Sequence, residues 1–383
     1  MAYGKIKADA IVYDNSGSDV EVSTADITGK ANLASPAFTG TPTAPTASAG
    51  TNTTQLATTA FVEAAAGNKL IEEGSTYRVQ FIAIGGGGAG GYTDSGFAGG
   101  GGGAGGMAYH DGFMVTDGDA YTVTIGGGAT GPANDSAMNS AAQMNNSQAP
   151  NGGNTTITGT GLNVSAFGGG GGAGYNGTYL EGAAGGCGGG SEGYALTYRG
   201  NAAYARMAHG GTSAFGTHGG MGAVNEGNFG DGVYAAGGGG GVGSGPLQHR
   251  TQGGTGTPAF HEWLAATSQG STHSSVRYIG GGGGGGIGDN STTRSGGVGG
   301  EGGAGQGGDN TGSSGSDATD GTGSGGGGRG YYNAGSGRGG NGGDGLVIFR
   351  YPDNKGQKGS GGTVVQSGGW YYHTFTSGGT FTA

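Results

Sequence analysis

Apolar and polar positions alternate in short runs along this chain, and glycine-dense blocks separate the runs. Tyr77-Arg-Val-Gln-Phe-Ile-Ala-Ile84 opens a tract that Leu346-Val-Ile-Phe-Arg-Tyr351 closes. Between them lie Tyr121-Thr-Val-Thr-Ile125, Asn154-Thr-Thr-Ile-Thr158 and Leu162-Asn-Val-Ser-Ala-Phe167. Runs of this length and residue type, bounded by glycine, predict β-strands. Near the start, Lys5-Ile-Lys-Ala-Asp-Ala-Ile-Val-Tyr13, the turn cluster Asp14-Asn-Ser-Gly-Ser18 and Asp19-Val-Glu-Val22 predict a hairpin. A lone hairpin is marginal in water, so it is expected to dock on a partner or on its own copies.

One helix is predicted. Pro36, Pro42 and Pro45 forbid helix within the Thr-, Ala-, Pro- and Gly-rich stretch 31–56, and a helix follows, with Asn52 and Gln55 as a capping-box-like pair. Leu56, Ala60, Phe61 and Ala64 mark one face, and Gly67 supplies the stop. A helix of about 13 residues is marginal alone, and its small apolar stripe suits three copies meeting on an axis.

Composition changes the picture of everything between Gly85 and Gly345. Glycine accounts for 107 of 383 residues, where an ordinary chain carries about 7%. With only 8 prolines, a collagen triple helix is excluded. The tract is either disordered or packed as polyproline II helices whose bare faces let backbones approach. Order is the reading favoured, because strand-grade runs interrupt the tract and several blocks repeat every three residues. In Gly296-Gly-Val-Gly-Gly-Glu-Gly-Gly-Ala304 that period points Val298, Glu301 and Ala304 the same way. Ordering glycine is entropically costly, so dense packing and inter-chain hydrogen bonds must offset it.

Charge and cysteine narrow the function. A formal net charge of −10 leaves no electrostatic footprint for nucleic acid. The single cysteine, Cys187, excludes an intrachain disulfide framework. Met1-Ala-Tyr-Gly-Lys-Ile-Lys7 lacks the apolar core of a signal peptide, and no run of 18 apolar residues occurs. The chain is expected to be neither conventionally secreted nor membrane-spanning; if it works outside a cell, something other than a signal peptide takes it there, as assembly into a virus particle released by lysis would.

Two stretches carry a family likeness. Asn32-Leu-Ala-Ser-Pro-Ala-Phe-Thr-Gly-Thr-Pro-Thr-Ala-Pro-Thr-Ala47 with Gly50-Thr-Asn-Thr-Thr-Gln-Leu-Ala-Thr-Thr-Ala-Phe-Val62 resembles the stem repeat of tailed-bacteriophage tail fibres. The family usually carries several such units and this chain carries one, so the stem is short. The resemblance implies a homotrimeric virion fibre, gripped by a phage tail or adaptor protein at its N-terminus and contacting the host with its far end. The strand-to-glycine junctions, such as Ala166-Phe-Gly-Gly-Gly-Gly-Gly-Ala-Gly174 and Gly342-Gly-Asp-Gly-Leu-Val-Ile-Phe-Arg-Tyr351, resemble the glycine-rich domains of phage fibres and some receptor ectodomains. Those domains join a β scaffold to bundled polyproline II helices. Trp370-Tyr-Tyr-His-Thr-Phe-Thr-Ser-Gly-Gly-Thr-Phe-Thr382 resembles the strand pair that often precedes such domains, and here it comes last.

Motifs for chemistry are thin. G-x-G-x-x-G recurs, but never in a strand–loop–helix unit with an acidic partner, and no phosphate-binding G-x-x-x-x-G-K-[ST] exists. Gly339-Gly-Asn-Gly-Gly-Asp-Gly-Leu-Val347 matches the calcium nonapeptide once, although that module works by tandem stacking. The seven histidines, His110, His209, His218, His249, His261, His273 and His373, show no metal-ligand spacing. A histidine from each chain of a trimer could still meet on its axis. Asp309, Asp317 and Asp320 sit in a Ser/Gly/Asn loop, where a solvated turn is favoured over a glycosidase carboxylate pair. No catalytic residue, cofactor or metal ligand is assigned.

Recognition is placed on the inserts, because loops on a rigid scaffold carry binding. The polar stretch Pro132–Ser147 is one such insert. Candidate receptor contacts are Tyr175, Tyr179, Tyr194, Tyr198, His249, Arg250, His261, Trp263, Tyr331 and Tyr332. The competing role for these aromatics is capping the bundle or filling a trimer interface. The expectation is therefore a mainly β protein with a polyproline II bundle, an elongated homotrimeric fibre with a short helical and extended stem and a glycine-rich head. Residues 1–30 form the attachment hairpin, 31–76 the stem, 77–352 the head and 353–383 the C-terminal β-strands. The expected function is attachment of the virion to a host surface polysaccharide or outer-membrane protein. A fibre-borne polysaccharide-degrading enzyme and a free ice-binding protein are the alternatives.

Overall fold

A computed structural model describes residues 10–14, 19–23, 76–93, 97–134, 148–174, 181–193, 206–207, 213–215, 223–224, 234–245, 251–288, 294–331, 337–354 and 356–383. The chain divides into two compact units, Met1–Gly67 and Asn68–Ala383. In the first, β1 (Ala10–Asp14) and β2 (Asp19–Ser23) pair antiparallel with Asp14 opposite Asp19. The expected stem helix, with Leu56, Ala60, Phe61 and Ala64, lies outside the described residues.

The second unit is mainly β. Its strands begin with β3 (Thr76–Ile84), β4 (Met107–Thr116), β5 (Ala120–Thr124), β6 (Thr155–Gly159) and β7 (Leu162–Ala166). Short pieces follow: β8 (Arg206–Met207), β9 (Ser213–Phe215), β10 (Ala223–Val224) and β11 (Tyr234–Ala235). The helix α1 (His261–Ala266) precedes β12 (Ser271–His273), β13 (Val276–Tyr278) and β14 (Ile287–Gly288). The chain ends with β15 (Leu346–Pro352), β16 (Thr363–Ser367), β17 (Trp370–Phe375) and β18 (Gly379–Thr382). A six-stranded sheet runs β16-β17-β15-β3-β4-β9 and a five-stranded sheet runs β18-β5-β6-β7-β8, with antiparallel neighbours throughout.

Period-two alternation decides which side chains lie between these sheets. Tyr77, Val79, Phe81 and Ala83 of β3, and Val347, Phe349 and Tyr351 of β15, meet Val123, Ile157 and Val164 in one buried core. The intervening Ile82, Ile84, Leu346 and Ile348 face the other way into a second core that includes α1. Strand β4 carries a bulge, in which Asp111 and Gly112 stand opposite Gln80 alone. β17 and β18, which together cover the segment likened to a strand pair, do not pair with each other. β17 lies between β16 and β15, whereas β18 joins β5 in the second sheet. The last segment thus clips both sheets, with Phe381 stacked on Phe349 at 4.5 Å.

The glycine segments prolong the strands. β3 runs into 85–91, β4 issues from 99–106, and their register continues unbroken: Gly85, Gly88 and Gly91 donate to the carbonyls of Gly106, Gly103 and Gly100. Bonds now recur every third residue instead of every second, the period of polyproline II. The residues between bond elsewhere. Gly86 and Ala89 donate to Gly153 and Pro150, and Gly87 and Gly90 to Gly343 and Gly340. Segment 99–106 is likewise enclosed, donating to 323–329, 167–173 and 237–240 and accepting from 85–91, 187–190 and 283–286. All of these partners belong to the same chain.

Close approach explains the composition. A Cβ on Gly102 would fall 2.1 Å from the carbonyl oxygen of Gly88, and one on Gly87 would fall 1.8 Å from that of Ser324. No side chain fits there. In the sheets, side chains hold the layers about 10 Å apart. In the lattice, backbones of the two layers bond directly, as Gly103 does to Gly170 at 2.7 Å.

Where a neighbouring backbone is missing, Asn and Asp supply acceptors at the same three-residue spacing. Gly128 and Gly131 donate to Asp344 and Asn341, and Gly168 and Gly171 to Asn154 and Asn151. The N–H groups of Asn341 and Asp344 donate in turn to Asp317 and Asp320. The single match to a calcium nonapeptide is therefore part of a structural ladder. The loop carboxylates are occupied too, with Asp309 accepting from the N–H of Thr311 at 3.0 Å. Burial pushes the Asp317 carboxyl up, but Arg338 and the Asn341 N–H outweigh it and hold it below its ordinary value. One expectation is overturned. Gly302 and Gly303 take φ of +118° and +96° and turn the chain, so Ala304 begins a returning segment and does not share a face with Val298 and Glu301.

Two outcomes follow from this packing. Gly102→Ala destabilises the protein by about 1–3 kcal/mol, the range for overpacking. Gly127→Ala changes stability by less than about 1 kcal/mol, because its Cβ would meet only Asp344 Oδ1 at 3.7 Å. Denaturant midpoints compare them, and equal midpoints would contradict the lattice. The second outcome concerns pH. His373 is fully buried; its Nδ1–H donates to Gly361 O at 2.8 Å, so Nε2 accepts from the Tyr351 hydroxyl at 3.0 Å. Burial holds its pKa below 6.5, against the opposing pull of Gly361 O, and burial lowers His110 as well. The unfolded chain then binds these protons first, so stability is full above about pH 6.5 and falls as pH drops towards the folded values. A midpoint that does not fall between about pH 7.5 and 5.5 would rule this out. In His373→Gln the fall is shallower.

Candidate functional site

The insert between Thr257 and Ile279 leaves and rejoins the lattice at one doorway. Their backbones exchange bonds of 3.0 and 3.3 Å. Thr257 Oγ1 accepts from the Ala259 N–H, and His261 N–H donates to Pro258 O, which starts α1 just after a proline. Trp263 and Leu264 are its buried positions, and with Phe260 they cover Ile82, Ile84 and Ile348 of the six-stranded sheet. The insert then closes as the β12–β13 hairpin, where the Arg277 N–H donates to His261 Nδ1 at 2.9 Å. Neutral His261 therefore carries its proton on Nε2.

Arg350 reaches this place from the strand beneath. It shares the sheet face of Leu346 and Ile348 and stands opposite Gln80 on β3 and Tyr372 on β17. Its guanidinium lies between two indoles, 4.1 Å from the Trp263 centroid and 4.0 Å from that of Trp370. Nε donates to Gln80 Oε1 at 2.7 Å, and Gln80 Nε2 donates to Asp111 O at the bulge. The bulge, Gln80 and the indoles fix the guanidinium plane. Tyr109 stacks near Phe260 and Trp263, with centroids at 5.1 and 6.2 Å. Burial and Asp111 push its hydroxyl pKa up, partly countered by Arg350.

These groups enclose an open depression of about 620 Å³, lined by Tyr109, Ala259, Phe260, His261, Glu262, Trp263 and Arg350. It offers a fixed cation, a neutral N–H donor, an exposed carboxylate at Glu262 and an aromatic wall. Such a mixture of a few oriented polar groups and apolar surface suits a small polar ligand. Among the described residues, no three His, Cys, Asp or Glu side chains gather as a metal site. No helix among them is long and apolar enough to cross a membrane.

The structure brings two expected contacts, His261 and Trp263, to this depression. Trp263 serves mainly as packing, being only 4% exposed, which is the competing role weighed for the aromatics. Tyr331 sits apart from the lining and bridges Gly288 beside β14. Tyr175, Tyr179, Tyr194, Tyr198, His249, Arg250 and Tyr332 lie outside the described residues. Sequence reasoning misses Tyr109, Glu262, Arg350 and Trp370. The available signal is Arg350 itself, a charge on the apolar strand Leu346–Tyr351 at a position whose face neighbours are buried.

Residues 67–352 match the family described as a glycine-rich domain. That match covers most of the chain, and the chain belongs to this family. No curated protein and no solved structure matches it.

Trp263 and Trp370 are the only tryptophans among the 383 residues, so tryptophan emission, excited selectively over the tyrosines, reports on Arg350's surroundings. Arg350→Ala is expected to change the emission spectrum and to lower stability by about 1–2 kcal/mol, from the lost cation–π contacts and hydrogen bond. An unchanged spectrum would contradict the sandwich.

Proposed function

We propose that this chain is a tail fibre protein of a tailed bacteriophage, homotrimeric in the virion, whose glycine-rich head binds a receptor on the host surface. The observation that carries this reading is the string over residues 32–62, whose resemblance to a fibre stem repeat is too specific for composition to produce. The head agrees in kind: a rigid lattice holds an insert with aromatic and charged groups around an open depression. On this reading β1 and β2 belong to the end gripped by a tail or adaptor protein, and the helix over the stem registers three chains. The head engages a surface polysaccharide or outer-membrane protein. Nucleic acid is no partner of an acidic chain of this kind. Three heads per fibre convert a weak site into firm attachment through effective concentration.

Binding without cleavage is the preferred form. Asp309, Asp317 and Asp320 are engaged by backbone N–H groups, and nothing in their bonding favours a pair of free catalytic carboxylates. The ice-binding alternative has no use for the stem string.

Light scattering on the full chain is expected to give three chain masses, and deletion of residues 1–76 to weaken or abolish the trimer. The labelled full-length protein is expected to adsorb to cells of its host. A full-length monomer, or no adsorption across a panel of host strains, would overturn the proposal.

A further inference from the structure

Arg350 is held in a way that packing alone does not require. A guanidinium carries five N–H donors in one plane, and its two faces are weakly hydrated. Here two indoles flank it, with Cζ 4.1 Å from the Trp263 centroid and 4.0 Å from that of Trp370, while Nε is committed to Gln80. Among the described residues no carboxylate pairs with Arg350 and no protein acceptor meets its Nη groups, and the residue lines the depression. A half-buried cation that is flanked by two indoles and held through Nε keeps its Nη groups available as a fork. The group that matches such a fork is a carboxylate, which accepts two parallel bonds from it.

The remaining lining sets what the carboxylate must be attached to. His261 is fixed by the Arg277 N–H so that neutral Nε2 is a donor. Glu262 is exposed and lines the same depression, and a carboxylate there can accept hydrogen bonds from sugar hydroxyls. Its negative charge repels a phosphate dianion about twice as strongly as a singly charged sugar acid at the same distance. Phe260 and Tyr109, 5.1 Å apart, supply an apolar wall for the C–H face of a ring. We propose that this depression is a binding site for a uronic-acid residue of an acidic polysaccharide, with the sugar carboxylate on the Arg350 fork and its hydroxyls between His261 and Glu262. The identification of the ligand class deepens the receptor-binding reading above and rests on it for its biological setting, but its geometry stands on these residues alone.

The test is a titration of the full-length protein's tryptophan emission with trigalacturonate, with its fully methyl-esterified form, and with inorganic phosphate, at low salt. Saturable change with trigalacturonate is expected, at least tenfold weaker with the neutral ester and with phosphate. Arg350→Lys keeps the charge but loses the planar fork and is expected to weaken trigalacturonate at least tenfold. Glu262→Gln, at an exposed position outside the core, is expected to weaken trigalacturonate severalfold while leaving phosphate no weaker. Calorimetry checks both variants independently of the fluorophores. Equal response to acid and ester, a phosphate response as strong as that to the sugar acid, no saturable response, or wild-type affinity in Arg350→Lys would each overturn the assignment. Adsorption to cells without uronate binding would sink this site and leave the receptor-binding reading intact. Uronate binding without adsorption would do the reverse.

Discussion

The structure depends on peptide groups meeting peptide groups with nothing between them. At Gly87 and Gly102 a neighbour's carbonyl oxygen occupies the space a Cβ would need. Glycine is entropically the worst residue to order, and each backbone hydrogen bond nets only about 0.5–1.5 kcal/mol. The lattice is therefore favourable only where its bonding is nearly complete. Segment 99–106 meets that condition with partners on every side. At the margins Asn151, Asn154, Asn341 and Asp344 complete it with side-chain oxygens.

What makes such a lattice find one arrangement is the pair of sheets. Glycine segments have no side chains to specify which neighbour lies where or in what register. The strands do. Ile84 faces Met107, and the bonds from Gly85 onwards keep that register. Leu346 faces Ile84, and Gly87 and Gly90 bond to Gly343 and Gly340 in step. An apolar core of ordinary kind, with Phe81, Phe349 and Phe381 at its centre, thus sets the alignment of glycine segments that have no side chains of their own to set it. The same sheet carries Arg350 on its second face. The depression is therefore built jointly, with Arg350 and Tyr109 placed by the strands and Phe260, His261 and Trp263 by the insert that covers them.

Much of the fold is legible in the sequence because strand-grade runs stand out against glycine. β3, β5, β6, β7 and β15 fall where alternation places them, within a residue or two. β4 does not, since its bulge at Asp111 and Gly112 breaks the alternation that would reveal it. α1 is hidden for another reason. Its six residues are too short for a periodic signal, and it exists because Trp263 and Leu264 find an apolar sheet to cover. The candidate site is legible only in part. His261 and Trp263 stand in an insert that composition marks, but Tyr109 and Arg350 come from strands far away in sequence. Which strand faces which insert is a property of topology, and local spacing does not encode it.

The doorway at Thr257 and Ile279 bears on how such a head can change over time. The chain leaves and returns through adjacent positions joined by a pair of backbone bonds, so the lattice meets the insert at the two gateposts, at the apolar patch it covers and at Glu301, 3.4 Å from His273. Residues 258–278 can lengthen, shorten or be replaced by recombination without shifting the alignment of any glycine segment. The one condition is that the newcomer shields Ile82, Ile84 and Ile348 from water as Phe260, Trp263 and Leu264 do now. Diversification of the surface is in this way uncoupled from the demanding geometry of the scaffold, and a lineage can explore new ligands at small risk to folding.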